Sequence, residues 1–159
     1  MPKRRPAPSS SFVATARGEL DSTLQSLGFT HFLSKAGEEN KTLPRVLYRN
    51  SALYFEVNWD PRDFLLQILL GPRIYMQDVI ERIIVHTHYA YYLEALHLDA
   101  LPSPSQAEST AAFWRESFKV VCATLPQVVA SYEEIRPEVE RISEKRLPEL
   151  ILLNEWHDV

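Results

Sequence analysis

Residues 45–72, RVLYRNSALYFEVNWDPRDFLLQILLGP, constrain the fold more than any other part of the chain. Apolar and aromatic residues recur at alternate positions, a period that suits pleated strands rather than helices. Two turn signals divide the run. Asn50-Ser51 marks the first and Asp60-Pro61-Arg62-Asp63 the second, with Pro61 pre-set for the leading central position of a type I turn. The reading is three antiparallel strands, at about Arg45–Arg49, Ala52–Trp59 and Phe64–Leu70. These turns predict a register in which Tyr48 faces Leu53, Val46 faces Phe55, Val57 faces Leu66 and Trp59 faces Phe64. One face is then Val46, Tyr48, Leu53, Phe55, Val57, Trp59, Phe64, Leu66, Ile68 and Leu70. The other carries Arg45 opposite Glu56, with Arg49, Asn58 and Gln67, but also Leu47, Tyr54, Leu65 and Leu69. A half-apolar second face calls for cover from a helix, a tail or a second subunit.

Helical periods flank this meander. Val13, Ala16, Leu20, Leu24 and Leu27 recur at spacings of three and four, which predicts a helix over about Ser11–Leu27. Gly28 supplies the left-handed residue that ends it, and Phe29 can pack back on Leu24, as in a Schellman stop. After Gly71-Pro72 the pattern turns helical again, from about Met76 to Leu98. Pro102 breaks it. Ser103 with Pro104 and Gln106 offers a helix start, with Ser105 and Glu108 as an alternative capping box. The helix that follows reaches Thr124 or Leu125, with Ala112, Phe113, Phe118, Val121, Cys122 and Leu125 as its apolar positions. Pro126 kinks it or starts a new segment. Val128–Arg146 reads as one further helix, with fresh starts near Ser131 or Pro137 as options, and Pro148 separates a C-terminal piece.

The stretch HTHYAYYLEALH, residues 86–97, carries three histidines and three tyrosines. On a strand, His86 and His88 would share a face and suit a metal. On a helix, residues two apart point about 200° apart and cannot. The flanking Val79, Ile80, Ile83, Ile84, Thr87, Ala90, Tyr91 and Leu98 fall in one helical arc, so both histidines are assigned to a helix, with His88 mostly outward. No metal is expected. Glu94 projects into the same arc, where an unpaired carboxylate is costly. The helix can end there and leave Glu94 wet, an arginine can pair with it, or its pKa can rise as a general acid or base requires. In that last case His97, one turn on, is the natural partner, with His86 as a further candidate for such a site. Tyr89 and Tyr92, read as an outward pair, bring rigid apolar area with a polar tip, which suits an interface.

Composition excludes several classes. The formal net charge is −4; Lys3, Arg4 and Arg5 supply +3 of it, so the rest of the chain carries −7. A body this acidic lacks the basic face that nucleic acid requires. Cys122 is the only cysteine, which removes internal disulfides and thiolate-rich zinc sites. No apolar run follows the basic N-terminus and none is long enough to span a bilayer. No serine elbow or phosphate loop occurs.

The expectation is therefore α+β: a three-stranded antiparallel meander, with room for a fourth strand near His31–Ser34, packed by an N-terminal helix and three or four C-terminal helices. Residues 1–10 form a basic Pro/Ser tail and residues 11–159 one domain. This layout resembles that of many small bacterial α+β proteins, immunity-type and adaptor proteins among them, without a shared motif. The leading functional expectation is a cytoplasmic, non-enzymatic interaction protein that forms a homodimer or takes a protein partner. It needs no cofactor, nucleic acid or membrane, and its contact residues are Tyr89, Tyr92, Tyr54, Leu65 and Leu69. The alternative is a small enzyme or ligand-binding protein with a Glu/His pocket between sheet and helices.

Overall fold

A computed structural model describes residues 9–33, 43–73 and 87–157, with side chains described between residues 11 and 146 of these. Residues 1–8 of the basic tail, the first part of the segment predicted as helix from Met76, and His86 lie outside the described residues, whereas residues 9 and 10, expected in the tail, begin the first helix. The fold is α+β. Helix α1 (Ser9–Ser26) leads into strands β1 (Thr30–Phe32), β2 (Arg45–Arg49), β3 (Leu53–Asp60) and β4 (Leu65–Pro72). Helices α2 (Tyr89–Ala95), α3 (Thr110–Ala130) and α4 (Tyr132–His157) follow. The strands form one antiparallel sheet in the order β1-β2-β3-β4, so the fourth strand near His31 is present.

Both hairpins pair two residues away from the predicted register. Tyr48 lies opposite Phe55 and Val46 opposite Val57; on the other side Val57 meets Ile68 and Trp59 meets Leu66. The cause is local in each turn. The Asn50 N–H donates to the Leu53 carbonyl at 3.0 Å, and its Oδ1 accepts from the N–H groups of Ala52 and Leu53. Ser51 and Ala52 are therefore the turn centre, rather than Asn50 and Ser51. In the second hairpin Asp60 pairs with Leu65, and its Oδ1 accepts from the Arg62 and Asp63 N–H groups. The loop then has to include Phe64, which adopts a left-handed φ of 53°. A slip of two preserves which face each side chain takes, because the strand period is two. The apolar face is accordingly the predicted one, apart from Phe64.

That face meets α1 and, at β4, the helix Tyr89–Ala95 (α2), while α1 packs against α3. The α1 stripe is buried at Val13, Ala16, Leu20 and Leu24, and the core adds Phe12 from the same helix. Helix α1 ends as a Schellman motif: Gly28 takes φ 84°, the Phe29 N–H donates to Leu24 at 2.9 Å and the Gly28 N–H to Gln25 at 3.0 Å. Rings close the far end of the core. Trp114 stands edge-on to both Phe12 and Trp59, with centroids 5.1 and 5.3 Å away.

Three helix boundaries differ from those read in the sequence. Pro104–Gln106 is a single 3-10 turn that lacks a side-chain cap, and α3 begins later, where Ser109 Oγ accepts the Ala112 N–H at 3.1 Å. Pro126 lies inside α3, which runs on to Ala130; the proline is exposed, so its ring meets solvent. Pro148 likewise does not interrupt α4, whose backbone continues to His157.

Candidate functional site

Helix α2 is short and is packed on three sides, against β4, α3 and α4. His88 precedes it in extended conformation and bridges Leu69 of β4, so this histidine is not in the predicted helix; it is half-buried, with its ring edge-on to Tyr91. Burial lowers its pKa below the ordinary imidazole value. Tyr89 and Tyr92 are buried too, which corrects their reading as an outward pair. Packing on three sides leaves α2 little outward face. The tyrosine tips find partners inside. Thr124 Oγ1 donates to the Val120 carbonyl at 2.7 Å, so Tyr89 Oη donates to Thr124 at 2.6 Å. Tyr92 donates to the Leu70 carbonyl at 2.9 Å and stacks on Tyr132. Burial raises the pKa of both phenols.

The C-terminal end of α2 and the facing stretch of α4 enclose a cleft of about 540 Å³. Glu94 and His97 both line it, so the structure brings these two predicted residues together, between two helices rather than between sheet and helices. Glu94 is half-exposed and accepts from Arg146 Nη2 at 3.1 Å. Two of the expected outcomes for this glutamate therefore occur at once: the helix ends near it, and an arginine pairs with it. The Arg146 guanidinium also stands 5.7 Å from the Tyr91 ring centroid.

His97 ends α2 in a second Schellman motif. Its φ is 55°, its N–H donates to the Glu94 carbonyl at 3.1 Å, and the Leu98 N–H donates to the Leu93 carbonyl at 2.9 Å. Glycine or asparagine is usual at this position, because a Cβ is strained in left-handed backbone. From α4 the cleft takes Glu138, Ile142, Lys145 and Arg146. None of these four is assigned a functional role from the sequence. The signal was their spacing: positions 138, 142, 145 and 146 share one helical stripe with a buried isoleucine at its centre.

A second polar cluster sits on the other face of the sheet. Leu47 and Tyr54 are buried there and Leu69 is partly so, whereas Leu65 is exposed. Glu56 and Asn58 are buried among them, 5% and 2% exposed. Asn58 Nδ2 donates to Glu56 Oε2 at 2.6 Å, and Arg45 Nη1 lies 3.8 Å from Oε1. Desolvation raises the Glu56 pKa, against the lowering effects of Asn58 and Arg45. Among the described residues, Asn58 Oδ1 has no hydrogen-bond partner.

Cys122 is half-buried, with its Sγ 3.2 Å from the Glu19 carbonyl that accepts from it. Among the described residues, no three histidine, cysteine, aspartate or glutamate side chains are grouped to hold a metal ion, and no helix is long and apolar enough to cross a membrane. Comparison with known proteins finds no matching family model, no matching curated protein and no matching solved structure.

Proposed function

We propose that this chain is a small cytoplasmic, non-enzymatic protein that works by protein–protein contact and associates with its own copy. The observation that carries the reading is the end of the β3–β4 hairpin, where Phe64 and Leu65 are 49% and 46% exposed. Scattered single apolar residues on a surface need no explanation. Two large neighbours on a stiff hairpin are a different case. Phe64 leans edge-on against Trp59 at 4.9 Å, and the Asp60 carboxylate fixes the loop beneath it. Anchors held in place before contact lose little entropy on binding. A two-fold contact would let the hairpin end meet its own copy. Of the contact residues expected from sequence, Leu65 suits this role; Tyr54, Tyr89 and Tyr92 are buried and support the core.

Sedimentation velocity over a wide concentration range tests the reading. The expected result is a concentration-dependent dimer that Phe64→Ser with Leu65→Ser abolishes while the fold is retained. A chain that stays monomeric throughout, or a dimer indifferent to both substitutions, would contradict it.

One observation favours a second reading, binding of a small ligand: Glu94 and His97, far from the hairpin end in sequence, line one cleft.

A further inference from the structure

Resting on that second reading, we infer that the α2–α4 cleft is a binding site for a small organic carboxylate. The first argument is charge. Glu94 and Glu138 balance Lys145 and Arg146 among the lining groups. Arg141, outside the lining, holds Glu138 at 2.5 Å, so this carboxylate is already neutralised. Glu94 occupies only part of the Arg146 fork, whose five N–H donors suit carboxylates. Lys145 has no ion-pair partner among the described residues. Counting Arg141, the described groups at the cleft therefore leave one positive charge in excess, which matches a monoanion rather than a cation or a dianionic phosphate.

The second argument is backbone strain. His97 holds a left-handed conformation where glycine would serve the helix cap better. The cap alone gives no reason for an imidazole there. What the side chain adds is a ring at the edge of the cleft with an N–H donor in either tautomer. The third argument is the apolar floor. Ile142 is buried and Ala95 partly so, and together they give the ligand's hydrocarbon part a dry contact between the charged groups. A carboxylate would lie against Lys145, His97 and the free part of Arg146, with its apolar body on Ile142 and Ala95.

The test is an NMR titration of the full chain with butyrate and, separately, with butylammonium, following the His97 ring and the Ala95 and Ile142 methyl groups. Saturable shifts are expected with butyrate alone. Lys145→Ala should weaken butyrate about tenfold, the size of one charge-assisted contact. Glu94→Gln should tighten it, because the substitution frees the Arg146 fork. His97→Gly should weaken it while leaving the Tm unchanged or higher, a combination that a purely capping role cannot produce. Glu94→Gln weakening butyrate would overturn the inference. So would saturable binding of butylammonium in place of butyrate, although the cleft would then still be a ligand site. Binding of neither probe would end both the inference and the reading beneath it.

Discussion

Two of the glutamate–arginine pairs among the described residues do opposite things. On the second face of the sheet, Glu56 is buried, its carboxylate receives Asn58, and Arg45 stands 3.8 Å away. In the α2–α4 cleft, Glu94 and Arg146 are about half-exposed and 3.1 Å apart. The closer pair is the weaker one in energetic terms. Water screens an exposed ion pair and side-chain entropy opposes it, so its net contribution is about 0–1 kcal/mol. The buried pair contributes less through attraction than through the cost of losing a partner, since an unpaired buried charge costs about 3–5 kcal/mol. The contrast shows that an ion-pair distance does not rank importance here, whereas burial does. It also shows why the cleft, not the sheet, has groups free to meet a ligand.

The contrast can be broken at Asn58. Asn58→Ala removes the donor to Glu56 and leaves Oε2 buried without it, so a loss of about 2 kcal/mol is expected in urea unfolding. A smaller effect, and one of opposite sign, is expected from Glu56→Gln. The folded-state pKa of Glu56 is raised above the ordinary carboxylate value, so the native state holds this proton more tightly than the unfolded chain does. The stabilising effect of that proton is fully present below the unfolded pKa and is lost as pH rises through the folded pKa. Glu56→Gln keeps an acceptor for Asn58 and removes the titration. Unfolding midpoints measured from pH 4 to 8, a window of about four units around the ordinary carboxylate range, should then lose part of their downward slope. At neutral pH the variant should be at least as stable as the wild type. The smallest effect is expected from Glu94→Gln, within about 0.5 kcal/mol, as for surface substitutions in general. A larger loss would mean that the cleft pair carries structural weight after all.

What could be read in the sequence follows from which signals are local. Strand period and turn residues are local, and they identified the sheet and both its faces. Register is less so: Asn50 and Asp60 each bind the backbone two and three residues on, and this sets a turn centre that composition alone did not show. The error stayed invisible on the faces because it was an even number of residues. Arg45 and Glu56 were expected to pair as direct neighbours; they pair diagonally, with Arg45 opposite Asn58 and Glu56 opposite Leu47. Glu94 stood out as a misfit in an apolar arc, and the misfit marked a real feature, the end of α2. Its partner Arg146 lies 52 residues away, a separation that no local pattern spans. Tyr89 and Tyr92 were misassigned for the same reason. Their burial depends on β4, α3 and α4 meeting around a seven-residue helix, and amphipathic periodicity says little about a helix covered on three sides.

The measurement that tests the central contrast most directly is urea unfolding of Arg45→Ala and Arg146→Ala, side by side at neutral pH. The account predicts a loss of about 2–3 kcal/mol for Arg45→Ala, which strands the buried Glu56 carboxylate. For Arg146→Ala it predicts less than about 1 kcal/mol, the combined value of a screened ion pair and an exposed contact with the Tyr91 ring. Equal losses, or a larger loss at Arg146, would contradict it.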